Sequence, residues 1–233
     1  MKTASSRAFR IVLAALVAVF LAVSPAFAGP PLICHAFDIG NAKSLPWVSH
    51  DWNLNGGENY DTRDLAKDTI TILEESQVTL VHMETLRRAT LYARKDAQAA
   101  KQLLLKLTAR AEAARNSAQP DALALFDAGY LAEAYRQWLG ETGQNPANGI
   151  DGYSLVKKAL QLRGNDGQME FAAALITLSG PAQENQAHAQ KAVDGAKTDA
   201  LLGRNLNTRF LGAGSQTMAE MIQRGSGTKT VRE

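Results

Sequence analysis

Residues 78–95, VTLVHMETLRRATLYARK, decide the fold. On a helical wheel at about 100° per residue, Glu84, Arg87, Arg88, Arg94 and Lys95 share an arc roughly a third of the circumference wide. The remaining arc holds Val78, Val81, Met83, Leu86, Ala89, Tyr92 and Ala93, with His82 among them. A helix that is apolar over more than half its girth needs cover on several sides. The stretch therefore reads as the central helix of a helical domain.

The neighbouring sequence supplies that cover. From Asp61 the composition turns to Ala, Leu, Gln and charges, which favour helix. An acidic helix is expected over 62–75, carrying Asp64, Asp68, Glu74 and Glu75. After the central helix, Asp96 can cap a helix over 97–116, whose Ala97, Ala100, Leu103, Leu104, Leu107, Ala111 and Ala114 form one stripe. Further helices are expected over 121–139, 151–163, 168–179 and 182–202, separated by Gly, Pro and Asn punctuation. Met218, Met221 and Ile222 suggest one more short helix within 212–233, with a disordered tail behind it. No stretch reads as a strand. The expected class is all-α: antiparallel helical hairpins in a solenoid-like stack or irregular bundle over 61–211.

The chain opens differently. Lys2, Arg7 and Arg10 precede an unbroken apolar run over 11–23, then Pro25 and the A-x-A site Ala26-Phe27-Ala28. This is the pattern of a secretory signal over 1–28, cleaved after Ala28. The run is too short to span a bilayer comfortably, and no later stretch reaches the roughly 20 apolar residues of a membrane helix. Export to the periplasm or beyond is the expectation, with no transmembrane segment in the mature chain. Of 25 basic and 23 acidic residues, three basic ones leave with the signal, so the mature chain is close to neutral. That balance gives no argument for nucleic acid as a partner. Cys34 is the only cysteine, so no internal disulfide can form and the core must supply stability.

Residues 29–60 form a non-helical leader. Pro30, Pro31, Pro46, Gly40 and the Gly56-Gly57 pair interrupt helix, while Trp47 and Trp52 would bury large areas if docked. The leader is expected to lie across the helical body.

Several residues invite a chemical reading. Cys34-His35 would need a lowered thiol pKa for catalysis, and adjacent residues of an extended segment point to opposite sides. Haem attachment through C-x-x-C-H lacks its first cysteine. Asp51, Asn53, Asn55 and Gly56 reproduce the first half of a calcium loop, but Thr62 stands where a bidentate glutamate belongs. Arg87 and Arg88 could bind a carboxylate or phosphate; the simpler expectation pairs them with the acidic helix over 62–75. His82 and Asp127 lie on apolar arcs and need partners if buried, with Arg87 or Arg88 as the expected partner of Asp127. The four histidines His35, His50, His82 and His188 lack zinc-ligand spacing. No cofactor is expected.

Within 122–167, Phe126, Gly129-Tyr130, Ala134, Tyr153 and Ala159-Leu160 resemble a tetratricopeptide-like helix pair. That resemblance implies an interaction scaffold. The start of the mature chain, with Cys34-His35, Phe37-Asp38-Ile39-Gly40 and Ser44-Leu45-Pro46-Trp47, is similar to exported bacterial proteins of no assigned activity. The sequence thus leads to a scaffold for a protein or peptide partner, with Arg87, Arg88, Trp47 and Trp52 as binding residues. The alternative is a small-molecule site or weak hydrolase between leader and helices, drawing on Cys34, His35, His50 and Arg88.

Overall fold

The computed structural model describes residues 30–47, 59–140, 145–209 and 216–224. Among them every regular element is helical, beside one isolated bridge between Arg209 and Thr217. The all-α class read from the sequence holds. A 3-10 turn, Thr62–Asp64, leads into α1, Leu65–Glu75. Then follow α2, Thr79–Ala93; α3, Ala97–Arg115; and α4, Ala122–Leu139. The chain continues as α5, Gly152–Arg163; α6, Gly167–Ile176; and α7, Ala182–Gly195. Two short helices end it: α8, Ala200–Asn207, and α9, Met218–Arg224.

Aspartates decide where most of these helices start. Asp96, Asp121, Asp151, Asp166 and Asp199 each accept hydrogen bonds from backbone N–H groups of the first turn. Such a cap satisfies donors that the helix leaves open and contributes about 1 kcal/mol. Asp199 also accounts for a departure from the sequence reading. The expected helix over 182–202 is two helices, because Asp199 accepts from Leu202 N at 3.0 Å and starts α8 afresh. The helix expected to reach Ser179 stops at Ile176, where the Thr177 hydroxyl donates back to the Ala173 carbonyl at 2.8 Å.

Helix α2 is central, as its wheel implies. Every residue from Thr79 to Ala93 is buried except Arg88. It packs against α1, α3, α4 and α6. The first fourteen residues of α4 are buried as well, and α3 and α5 lie against them. Two close crossings fix the outer helices. A Cβ on Gly129 of α4 would stand 2.5 Å from the Gly152 carbonyl of α5, so only glycine fits there. At the second crossing, a Cβ on Gly167 of α6 would stand 2.9 Å from the Gly195 Cα of α7.

The leader is non-helical over 30–47 and strapped across this body, with Leu32, Ile33, Phe37 and Leu45 entering the core. At its turn, Asp38 meets α8: Asp38 N donates to Asn205 Oδ1 at 2.9 Å, and Arg204 Nε donates to Asp38 Oδ2 at 2.7 Å. Met218, Met221 and Ile222 are buried, so the short terminal helix expected from them is present. The segment 1–28 expected to be a signal, the leader residues 48–58 and the tail 225–233 lie outside the described residues. Among the described residues no helix is long and apolar enough to cross a membrane.

Candidate functional site

The Glu84–Arg87 part of the charged arc does not face water, whereas Arg94 and Lys95 are exposed. Glu84 and Arg87 are 1 % and 0 % exposed, because the strap covers them. Arg87 grips Glu84 twice, Nε to Oε2 at 2.7 Å and Nη2 to Oε1 at 2.9 Å. Arg88 reaches Glu84 Oε1 at 2.7 Å, the i,i+4 pairing that the spacing allows. The remaining donors hold the strap: Arg87 Nη1 donates to the Ile33 carbonyl at 3.2 Å and Arg88 Nη1 to the Leu45 carbonyl at 2.5 Å. Glu84 Oε2 accepts from Phe37 N at 3.0 Å. Ser44 and Thr85 hydroxyls meet at 3.0 Å, and the Tyr92 hydroxyl donates to the Pro46 carbonyl. Burial opposes ionisation of Glu84, but the Arg87 and Arg88 charges outweigh it and hold its carboxyl below the usual range.

The expected pairing of Arg87 and Arg88 with the acids of α1 is therefore wrong. Asp68 instead accepts from the Tyr60 hydroxyl at 2.8 Å, and Glu74 lies 3.7 Å from Arg110. A strap with exposed N–H and C=O groups was the stronger competitor for the arginines, since its backbone needs partners once buried. Arg87, fully buried and fully engaged, is not placed to bind a ligand at the surface.

The leader candidates sit around this cluster. Trp47 is half-buried, with the Arg87 guanidinium 5.6 Å from its ring and the Tyr92 ring edge-on at 5.6 Å. Cys34 is half-buried, and burial pushes its thiol pKa up, the direction opposite to thiol activation. His35 is 4 % exposed; burial, with the Arg87 charge beside it, lowers its pKa to about 4, so the ring is neutral at neutral pH. His50, Trp52, Asp51, Asn53 and Asn55 lie outside the described residues. Among the described residues no group of three or more His, Cys, Asp or Glu could hold a metal ion.

His82 and Asp127 are both buried and bind each other, not Arg87 or Arg88. His82 Nδ1 lies 2.6 Å from Asp127 Oδ1 and Nε2 lies 3.0 Å from the Ser76 carbonyl. Both neighbours are acceptors, so the arrangement is satisfied when both ring nitrogens carry protons. Burial works against that charge, but Asp127 and Ser76 outweigh it and the His82 pKa is raised. Arg110 completes the group, its Nη1 standing 3.9 Å from Asp127 Oδ2.

Among the surface hollows of the described residues are two with mixed linings. One, of about 580 Å³, opens where α2, α6 and α8 begin, and is lined by Gln77, Thr79, Arg163, Asp166, Gln168 and Asp199 among others. Its polar groups bind each other: Arg163 donates to Asp166 at 3.0 Å, Thr79 to Asp166 at 3.0 Å, and Gln168 to Asp199 at 2.6 Å. The second, of about 400 Å³, runs between α3, α4 and α5, with Ala111, Leu125, Ile150 and Leu155 among its apolar lining and Thr108, Glu112, Arg115 and Asp151 among its polar lining. The sequence reading missed this groove, because three helices contribute to it and only their packing brings the faces together.

No protein-family model matches the chain, and no curated protein or solved structure matches it either.

Two outcomes test the buried charges. Arg87→Met leaves Glu84 short of a partner and frees the Ile33 carbonyl, so unfolding free energy should fall by about 3–5 kcal/mol in urea titrations. Adding Glu84→Gln should recover part of that loss while the strap stays open to limited proteolysis. The second outcome concerns pH. His82 has a folded pKa above its unfolded value, so its stabilisation is complete below the unfolded pKa of about 6.5 and is lost as pH rises through the folded value. The melting temperature should therefore drop across that alkaline-going window in the parent protein. In His82→Gln the same window should be flat.

Proposed function

We propose that the chain is an exported, helical-repeat-like binding module whose groove between α3, α4 and α5 receives a segment of a protein partner. One observation supports this above the others. Leu105 is the most exposed large apolar side chain among the described residues, and it stands on α3 beside a groove with an apolar lining. Leu105 and Glu112 lie two turns apart on one face of that helix. An apolar contact point thus continues into the groove past Thr108 and Glu112.

The lining selects the partner's chemistry. Ala111, Leu125 and Leu155 suit apolar side chains, while Arg115 faces acidic groups and Glu112 and Asp151 face basic ones. An amphipathic peptide with both charge signs on its polar side fits that pattern. Mixed charge at a rim sets register and partner choice more than affinity. The strap contributes indirectly: a body pinned by the Glu84 cluster keeps the groove preformed, and preformed sites lose less entropy on binding. The alternative site between leader and helices would depend on Cys34, His35 and His50, and the raised Cys34 thiol pKa weighs against it.

Export is part of the reading. Expressed with its own signal in a bacterial host, the protein should be recovered outside the cytoplasm with Gly29 as its first residue. An intact mass that retains residues 1–28 would overturn it.

The groove is tested by selecting peptides from a random display library against the purified protein. Enriched peptides should be amphipathic and should shift the amide resonances of α3 and α5. Leu155→Arg should weaken them at least about tenfold, the effect of putting a charge on an apolar floor. Leu162→Asp, a control at another exposed apolar residue, should leave affinity unchanged. Failure to enrich peptides, or binding insensitive to Leu155→Arg, sinks the proposal.

A further inference from the structure

Away from the groove, three side chains from three consecutive helices meet in a line. Glu170 of α6 holds His188 of α7 through a short contact between Oε2 and Nδ1. The other ring nitrogen, Nε2, lies 2.7 Å from the hydroxyl of Tyr153 on α5. Glu170 and His188 are buried, whereas Tyr153 is half-buried and reaches the surface. An imidazole bonded to a carboxylate through Nδ1 keeps its proton there, which leaves the Nε2 lone pair for the phenol. A buried carboxylate, an oriented imidazole and a hydroxyl, in that order, are the parts of a base-assisted nucleophile.

The surrounding charges refine the picture. Lys191 Nζ lies 2.9 Å from Glu170 Oε1, and Lys157 Nζ stands 4.6 Å from the Tyr153 ring centroid and 3.6 Å from Glu184. Burial opposes ionisation of Glu170, but hydrogen bonds from His188 and Lys191 outweigh it and keep its carboxyl below the usual range. Burial and hydrogen bonding to Glu184 push the Tyr153 phenol well above its ordinary pKa, with the Glu184 and Glu170 charges adding to the rise. The hydroxyl is thus neutral and needs a base to react. Two ammonium groups balance two carboxylates, so nothing here draws a phosphate, and an uncharged electrophile is the better match.

We propose that Tyr153, His188 and Glu170 form an acyl-transfer centre with a tyrosine nucleophile, acting on small uncharged activated esters. His188 Nε2 takes the phenolic proton as Tyr153 Oη bonds to the carbonyl carbon. The ester C–O bond then breaks, and the leaving oxygen takes the proton from His188. Water, giving a proton to the same Nε2, attacks the resulting aryl ester. The carboxylic acid departs and Tyr153 Oη is reprotonated. The sum is ester plus water giving acid plus alcohol. Lys157 stands over the Tyr153 ring and Lys191 on Glu170, and Glu184 competes with His188 for the phenolic hydrogen.

The test is a short exposure of the purified protein to p-nitrophenyl acetate, followed by peptide mass mapping. Tyr153 should carry the first acetyl group, ahead of every lysine and of the other four tyrosines. The rate at that site should depend on the base beside it. It should fall about a hundredfold in His188→Gln, the usual contribution of a positioned base. Glu184→Gln should raise it, and Tyr153→Phe should abolish the adduct. Acetylation scattered over exposed lysines with Tyr153 unmodified overturns the proposal. So does an unchanged Tyr153 rate in a His188→Gln protein that melts like the parent. Should His188→Gln fail to fold, the parent's map and the Glu184→Gln rate decide.

Discussion

The Glu84 carboxylate is the point on which the architecture turns. It lies at the middle of the central helix, out of water, between two guanidinium groups and one backbone N–H. An ion pair in such a place does not stabilise through Coulomb attraction alone, because removing the charges from water costs several kcal/mol per ion. Its return is specificity. One nitrogen of each arginine not bound to Glu84 donates to a carbonyl of the strap, Arg87 Nη1 to Ile33 and Arg88 Nη1 to Leu45, which favours one register of the strap. An apolar strip laid over an apolar helix would slide.

A second buried pair is held in the same way. His82 and Asp127 join α2 to α4, and the Ser76 carbonyl brings in the turn from α1. Together the two clusters place hydrogen-bonded charge at separate points along one helix. The surrounding core is otherwise built from Leu, Ala, Met and aromatic side chains that could pack in many ways. Polar points fix which way, while hydrophobic burial supplies the driving force.

Much of this was legible beforehand. Several helix starts followed from Asp96 and from Gly, Pro and Asn punctuation, though not the break at Asp199, and α2 announced its centrality through Val81, Met83, Leu86 and Ala89. The interior character of Glu84 and Arg87 was not legible. On a wheel, a buried ion cluster and a solvated face look alike; only the strap's need for partners separates them. His82 and Asp127 were recognisable as polar residues on apolar arcs, yet their pairing depends on how α2 crosses α4. The line of Tyr153, Glu170 and His188 was invisible for a similar reason. Each residue lies on a different helix, and no spacing within one segment encodes their meeting. Sequence periodicity says which face turns inward, not which neighbour it finds.

The meeting of Asp38 with Arg204 and Asn205 has a consequence for how the molecule comes together. Asp38 and Asn205 are 167 positions apart, and the strap that carries Asp38 is made before the helix that receives it. Loop closure over such a span costs only logarithmically more than over a short one, but contacts this distant in sequence slow the search for the native arrangement. The joint at Asp38 closes only once α8 is made, although α2 already offers Arg87 and Arg88 to the strap. Completion of folding is thereby tied to the arrival of α8, and shortening the chain from either side of that joint would undo the same closure.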